Sequence, residues 1–200
     1  MGTRGLIGIR KKGVLKGTYN HFDSYPSCLG DAIASEIKSK PIGYFEEGFD
    51  RIKMVVETAK PTKAEIAKCK DMGLYDETVS QQRETDWYCL LKKAQGSLIA
   101  NIEAGLMIDE ARFMADSLFC EWAYVLDLDK KELEIYRGFN KLEGTETKVR
   151  SDGSTYTTDK YGPVRLLYSV PLDELESFDM ETFEKAYYAT CEFLEPDEDA

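Results

Sequence analysis

The run Glu121-Trp122-Ala123-Tyr124-Val125-Leu126-Asp127-Leu128 places Trp122, Tyr124, Leu126 and Leu128 at every second position. Side chains two apart share one face of a strand but not of a helix, so this spacing predicts a strand with one face on a core. Asp129-Lys130-Lys131-Glu132 then supplies a polar turn, and Leu133, Ile135 and Tyr136 return before Arg137-Gly138. The whole stretch reads as a hairpin across 121–138. The start of the chain repeats the pattern: Leu6, Ile7 and Ile9, a basic turn ending at Gly13, then Val14 to Tyr19. Val164 to Val170 forms a last strand, ended by Pro171.

Between the hairpins the apolar residues switch to helical spacing. Ile33, Ala34 and Ile37 follow Asp31, and Phe45, Phe49, Ile52 and Val56 continue the pattern, although Val55-Val56 also suits a strand. Thr62 and Glu65 have capping-box spacing and open a helix that runs to about Met72. The Trp87, Leu90, Leu91, Ala94 stripe breaks at Gly96 and resumes to Gly105. Asp109 is placed to cap a helix carrying Ala111, Met114 and Leu118, and Asp179 one carrying Phe183, Ala186, Tyr187 and Thr190. This order predicts an α+β fold: an antiparallel sheet from the N-terminal hairpin and the hairpin near 121–138, with helices packed on it. One domain is expected over 1–194. It carries an exposed hairpin insertion at 139–163, turning at Ser151-Asp152-Gly153-Ser154, and an acidic tail at 195–200.

Composition narrows the classes of function. With 37 acidic against 26 basic residues the net charge is −11, so direct nucleic-acid binding is not expected. No apolar run approaches the ~20 residues of a membrane span, and no signal-peptide pattern opens the chain. Five widely spaced cysteines without a CxxC pair read as free thiols, hence a cytoplasmic setting. A single histidine excludes a multi-histidine metal site. Glu46-Glu47 with Asp50, and Asp127 with Asp129, match no calcium-loop series and read as solvated faces, so neither a metal nor a cofactor is expected.

The densest collection of chemistry-bearing residues is the loop Tyr19 to Gly30. It holds Asn20, His21, Asp23, Ser24, Tyr25, Ser27 and Cys28, and it feeds a predicted helix start at Gly30-Asp31. Two readings stand. In the first, His21, Asp23 and Ser24 form a catalytic set, with His21 as base and Ser24 or Cys28 as nucleophile. Arg4, Asn20, Tyr25 and Gly30 then hold a small anionic ligand, such as a nucleotide, at the helix start. In the second, Phe22, Tyr25 and Pro26 pin a tight connection, and the polar side chains satisfy nearby backbone. Arg4 is also placed to pair with Asp23.

The opening Met1-Gly2-Thr3-Arg4-Gly5, the loop Tyr19-Asn20-His21-Phe22-Asp23-Ser24-Tyr25-Pro26 closed by Leu29-Gly30, and the stretch Tyr124 to Phe139 together resemble an uncharacterised family of bacteria, phages and some fungi. That family opens with M-G-T-R and carries an aromatic-Asp-x-Tyr-Pro loop. The resemblance implies no activity, and Cys28 stands where glycine is commoner in the family. The glycine-rich N-terminal hairpin is also faintly similar to N-terminal nucleophile hydrolases, whose nucleophile would here have to be Thr3 exposed by cleavage. The leading expectation is an acidic cytoplasmic protein that acts by binding a host or phage protein, for instance as a phage-encoded inhibitor of a defence or nucleic-acid-binding protein. Its contact surface would be acidic, or the 139–163 hairpin. The alternative is a small-anion binder or hydrolase-like enzyme built on the 20–30 loop.

Overall fold

The computed structural model describes residues 2–79, 83 and 85–192; the acidic tail expected at 195–200 lies outside them. The chain begins with β1 (Gly5–Lys11) and β2 (Val14–Asn20). A π-helical turn (Pro26–Gly30) leads into α1 (Asp31–Ser39) and α2 (Ile42–Arg51). Next come β3 (Lys53–Val55), α3 (Lys63–Asp71), α4 (Trp87–Leu90), α5 (Leu98–Ala104) and β4 (Leu106–Ile108). The second half holds β5 (Trp122–Asp127), β6 (Glu132–Arg137), β7 (Lys141–Val149), β8 (Thr155–Tyr161), β9 (Arg165–Pro171) and α6 (Met180–Glu192).

The fold is α+β. Its main sheet has five strands in the order β2-β1-β5-β6-β9, and β3-β4 and β7-β8 form two-stranded sheets. The two expected hairpins meet edge to edge through β1 and β5, which run parallel, from Gly5 opposite Trp122 to Arg10 opposite Asp127. The sheet is otherwise antiparallel, as expected, and this pair is its one parallel neighbour pair among the described residues. Parallel neighbours need a long crossover, and the segment carrying α1 to α5 provides it.

A central position also changes the burial of β5. Trp122, Tyr124 and Leu126 face the main core with Ile7, Ile9, Leu133, Ile135 and α1. The alternate residues Ala123, Val125 and Asp127 are buried as well. Period two therefore marks the strand correctly while hiding that both its faces are covered. The middle helices are held by caps. Thr62 and Glu65 form the expected capping box on α3. Glu36 of α1 accepts from the backbone N–H of Leu98 at 2.7 Å and Ile99 at 3.1 Å, capping α5 from another helix. Residues 111–115 form a 3₁₀ turn with no side-chain cap, so Asp109 does not cap a helix there.

The two sheet edges are finished differently. Along β2, Glu110 accepts from the Tyr19 N–H and the Thr18 hydroxyl, and its own N–H donates to the Gly17 carbonyl. Along β9, Leu166, Leu167 and Tyr168 are exposed. The β7-β8 hairpin projects from the sheet as an arm with most of its side chains exposed. Its base is clasped by Ser117: the Ser117 carbonyl accepts from Phe139 N–H, its hydroxyl accepts from Asn140 N–H, and its own N–H donates to the Gly162 carbonyl.

Beneath the turns of both hairpins lies an ionic cluster. Arg10 donates to Asp127 at 2.8 Å, to Glu134, and to the Tyr136 hydroxyl at 3.2 Å. Tyr136 donates to Glu134 at 2.6 Å, and Lys130 to Glu134 at 2.7 Å. Asp127 and Glu134 are each 1% exposed, so two buried carboxylates are balanced by two cations. Burial pushes the Glu134 carboxyl up, but bonds from Lys130, Tyr136 and Arg10 outweigh it and hold the group below its usual range. Asp127 is thus a partner of Arg10. Asp129 accepts from the backbone of Lys12 and Gly13 and closes the first turn. No group of three metal-ligating side chains is found among the described residues.

Candidate functional site

The loop after β2 is folded onto the sheet by short local bonds. Ser24 is fully buried: its N–H donates to the Thr3 carbonyl, its hydroxyl accepts from Asn20 Nδ2 at 2.9 Å, and its carbonyl accepts from the Tyr124 hydroxyl at 3.0 Å. Gly5 permits this approach, since a Cβ there would stand 2.6 Å from both Ser24 Cβ and the Trp122 carbonyl oxygen. Asn20 also donates to the Phe22 carbonyl, at 2.5 Å. Ser24 and Asn20 therefore anchor the loop, and no bond joins Ser24 to His21. Thr3 is only 4% exposed, so it too belongs to the packing.

The helix start differs from expectation. The π-turn at Pro26 runs continuously into α1, so Gly30 lies inside a helical stretch, with its N–H donating to the Tyr25 carbonyl. A free backbone donor for an anion is absent at Gly30, which is buried under the Tyr124 ring. At the true start, the Ser27 N–H already donates to Glu184 at 2.8 Å. Asp23 sits at φ 51°, exposed, with its carbonyl accepting from Leu29 N–H. Arg4 does not pair with it. Cys28 is exposed and free, Tyr25 half-buried.

What surrounds His21 is a set of aromatic rings and cations drawn from four parts of the chain. The Tyr19 hydroxyl lies 2.7 Å from His21 Nδ1. The His21 ring meets Phe22 edge-on at 4.1 Å between centroids, and Tyr19 packs edge-on against Phe113 at 5.2 Å. Lys92 stands over the Phe22 ring at 5.6 Å and over the Tyr88 ring at 4.8 Å, donating to the Tyr88 hydroxyl. Arg4 stands over the Phe119 ring at 4.6 Å. Gly96 brings Lys92 into place. Its φ of +76° turns the chain after the 3₁₀ turn Lys92–Ala94, and a Cβ there would come within 3.0 Å of Asn20 Oδ1.

Electrostatics tie the cluster together. Burial lowers the His21 pKa, and the nearby charges of Lys92 and Arg4 lower it further. Burial pushes the Tyr19 phenol up to about 12, helped by Tyr88 and Glu110 and opposed by Arg4. Tyr19 thus keeps its proton at neutral pH. Its hydroxyl and His21 Nδ1 share a hydrogen bond at 2.7 Å, whose direction follows the tautomer of the ring. Neither Arg4 nor Lys92 has a carboxylate within ion-pair distance of its side chain among the described residues. Lys92 and His21 both pack on the Phe22 ring, and Arg4 lies close enough for its charge to lower the His21 pKa, so this part of the surface carries positive charge that attracts anions.

Of the residues expected in the site, His21 sits in the cluster and Arg4 lies near enough to lower its pKa. Asn20, Ser24 and Gly30 support the loop from below. Lys92, Tyr88, Phe113 and Phe119 were invisible to local reading, since only tertiary contact brings them to His21; the one local hint is the Lys92-Lys93 pair in an acidic chain. No family model matches the chain, no curated protein matches it, and no solved structure matches it.

Proposed function

We propose that the protein acts by binding, and that the cluster of Arg4, His21 and Lys92 receives an anionic ligand. The supporting observation is that the Arg4 and Lys92 side chains make no ion pair among the described residues, in a chain of net charge −11 where carboxylates outnumber cations; Glu121 beside Arg4 accepts from its backbone N–H at 3.2 Å instead. The same geometry argues against a reaction on Ser24, whose hydroxyl is buried and already bonded to Asn20. Calorimetric titration with pyrophosphate tests the reading. Saturable binding is expected, weakened about tenfold or more in Arg4→Ala and in Lys92→Ala, the size of one lost charge-assisted contact. Absence of saturable binding to the native protein removes it.

A second reading rests on the arm. Isolated two-stranded hairpins are marginal in water, yet β7-β8 lies outside the three hydrophobic clusters of the body and exposes Leu142, Val149 and Tyr156. Its four basic and four acidic side chains cancel, so this surface escapes the charge of the rest. Such an arm suits docking on a protein partner. Affinity capture with the native chain and with Val149→Asp/Tyr156→Asp tests it: a partner retained equally by both would not be held by the arm.

A further inference from the structure

Within the anion-binding cluster, one ring has a setting that the anion alone does not explain. Phe22 is 56% exposed, yet it is held in place on several sides. His21 meets it edge-on, Lys92 stands over it at 5.6 Å, and Gly2 lies so close that a Cβ there would be 2.5 Å from Phe22 Cδ1. An exposed phenylalanine on a loop usually turns its ring onto the body of the protein; this one is fixed with much of its surface in water. A part-exposed aromatic ring flanked on several sides, beside cations without ion-pair partners among the described residues, is the pairing used to hold a flat ring and a phosphate at once. The ring stacks on the aromatic face, and the phosphate oxygens accept from the cations. Immobilising Phe22 in advance removes part of the ordering cost of binding.

We infer that the ligand is a phosphorylated small molecule bearing a flat heteroaromatic ring, a mononucleotide in chemical class, with its ring on Phe22 and its phosphate on Arg4, Lys92 and His21. This rests on the anion-binding reading above and adds the ring to it. Polymers of nucleotides are disfavoured, because a long phosphate backbone would have to cross the acidic remainder of the surface. A single diphosphate places its charge on the cluster alone. His21, taking up a proton as the anion binds, adds a third donor beside the two cations, matching an oxyanion with several acceptor oxygens.

The test compares ADP with pyrophosphate, both titrated with chelator present, into the native protein, Phe22→Ala and Phe22→Leu. ADP is expected to bind about tenfold more tightly than pyrophosphate, the scale of one base–aromatic stack. Phe22→Ala and Phe22→Leu should both erase that advantage while leaving pyrophosphate affinity within about twofold, since leucine keeps the bulk and loses the flat face. Phe22 is exposed enough that both variants should melt like the native protein, and a melting curve verifies it. If pyrophosphate binds as tightly as ADP, the ring assignment is overturned and the anion site stands. An ADP advantage that survives at Phe22 and disappears in Phe119→Ala also overturns it. If neither ligand binds, both readings fall together.

Discussion

Arg4 and Arg10 stand six residues apart, one just before β1 and one near its end, and their surroundings are opposite. Arg10 is bonded to Asp127, Glu134 and Tyr136, with Lys130 completing the balance. The Arg4 guanidinium has the Phe119 ring beneath it and no ion-pair partner among the described residues; the Glu121 carboxylate beside it accepts from the Arg4 backbone N–H at 3.2 Å. Ion pairs under the hairpin turns hold two strands in register, so charge there is consumed by the fold. Charge left over at the other end is available to something else. The contrast gives a way to separate structural from functional cations in an acidic protein: count partners, not exposure.

Stability should break the comparison most sharply. Arg10→Ala leaves Asp127 and Glu134 buried against each other with Lys130 alone between them, and a loss of about 3–5 kcal/mol is expected from uncompensated buried charge. Arg4→Ala removes only a stacked, half-buried side chain and should cost about 1 kcal/mol or less. Urea denaturation of the two variants decides it; equal losses would mean that Arg4 is also structural.

Acidity should give a smaller effect with a definite sign. The folded-state pKa of His21 lies below its ordinary value of 6.5, so its neutral form is favoured by folding. That contribution to stability is present above pH 6.5 and is lost as pH falls through the lowered pKa. A bound anion reverses the bias by stabilising the charged ring, so binding takes up a proton and tightens as pH falls. Pyrophosphate affinity measured from pH 7.5 down to 5.5 should therefore rise more steeply for the native protein than for His21→Gln, the variant subtracting the titration of the ligand itself. Parallel slopes would remove His21 from the site.

Much of the fold was legible because local chemistry decides it. Alternation at Trp122 to Leu128, the Thr62/Glu65 box and Asp179, which accepts from Glu181 and Thr182 N–H, each act within a few residues. The parallel pairing of β1 with β5 was not legible, since it depends on which edges meet after the helices pack. Period-two spacing likewise could not show that Asp127 and Glu134 are buried, because a polar residue on a strand reads as solvent-facing until a cation is found for it. In the site, Arg4 and His21 could be singled out by type. Ser24 was misleading: a hydroxyl near a histidine in sequence here points under the loop, bonded to Asn20. Lys92 and Phe119 enter through Gly96 and the segment before β5, distances that no spacing rule spans.

The clasp at Ser117 has a consequence for how the molecule can change. Asn140 and Gly162 already face each other, the Gly162 N–H donating to the Asn140 carbonyl and the Asn140 side chain to Pro163, so the arm leaves and re-enters the domain at a single point. Everything from Lys141 to Tyr161 hangs beyond that junction, outside the three hydrophobic clusters of the body. Lengthening or shortening the segment at its turn leaves the register of the five-stranded sheet as it is. Changes in the arm come at little risk to folding, so its own surface can be altered while the five-stranded sheet beneath stays the same.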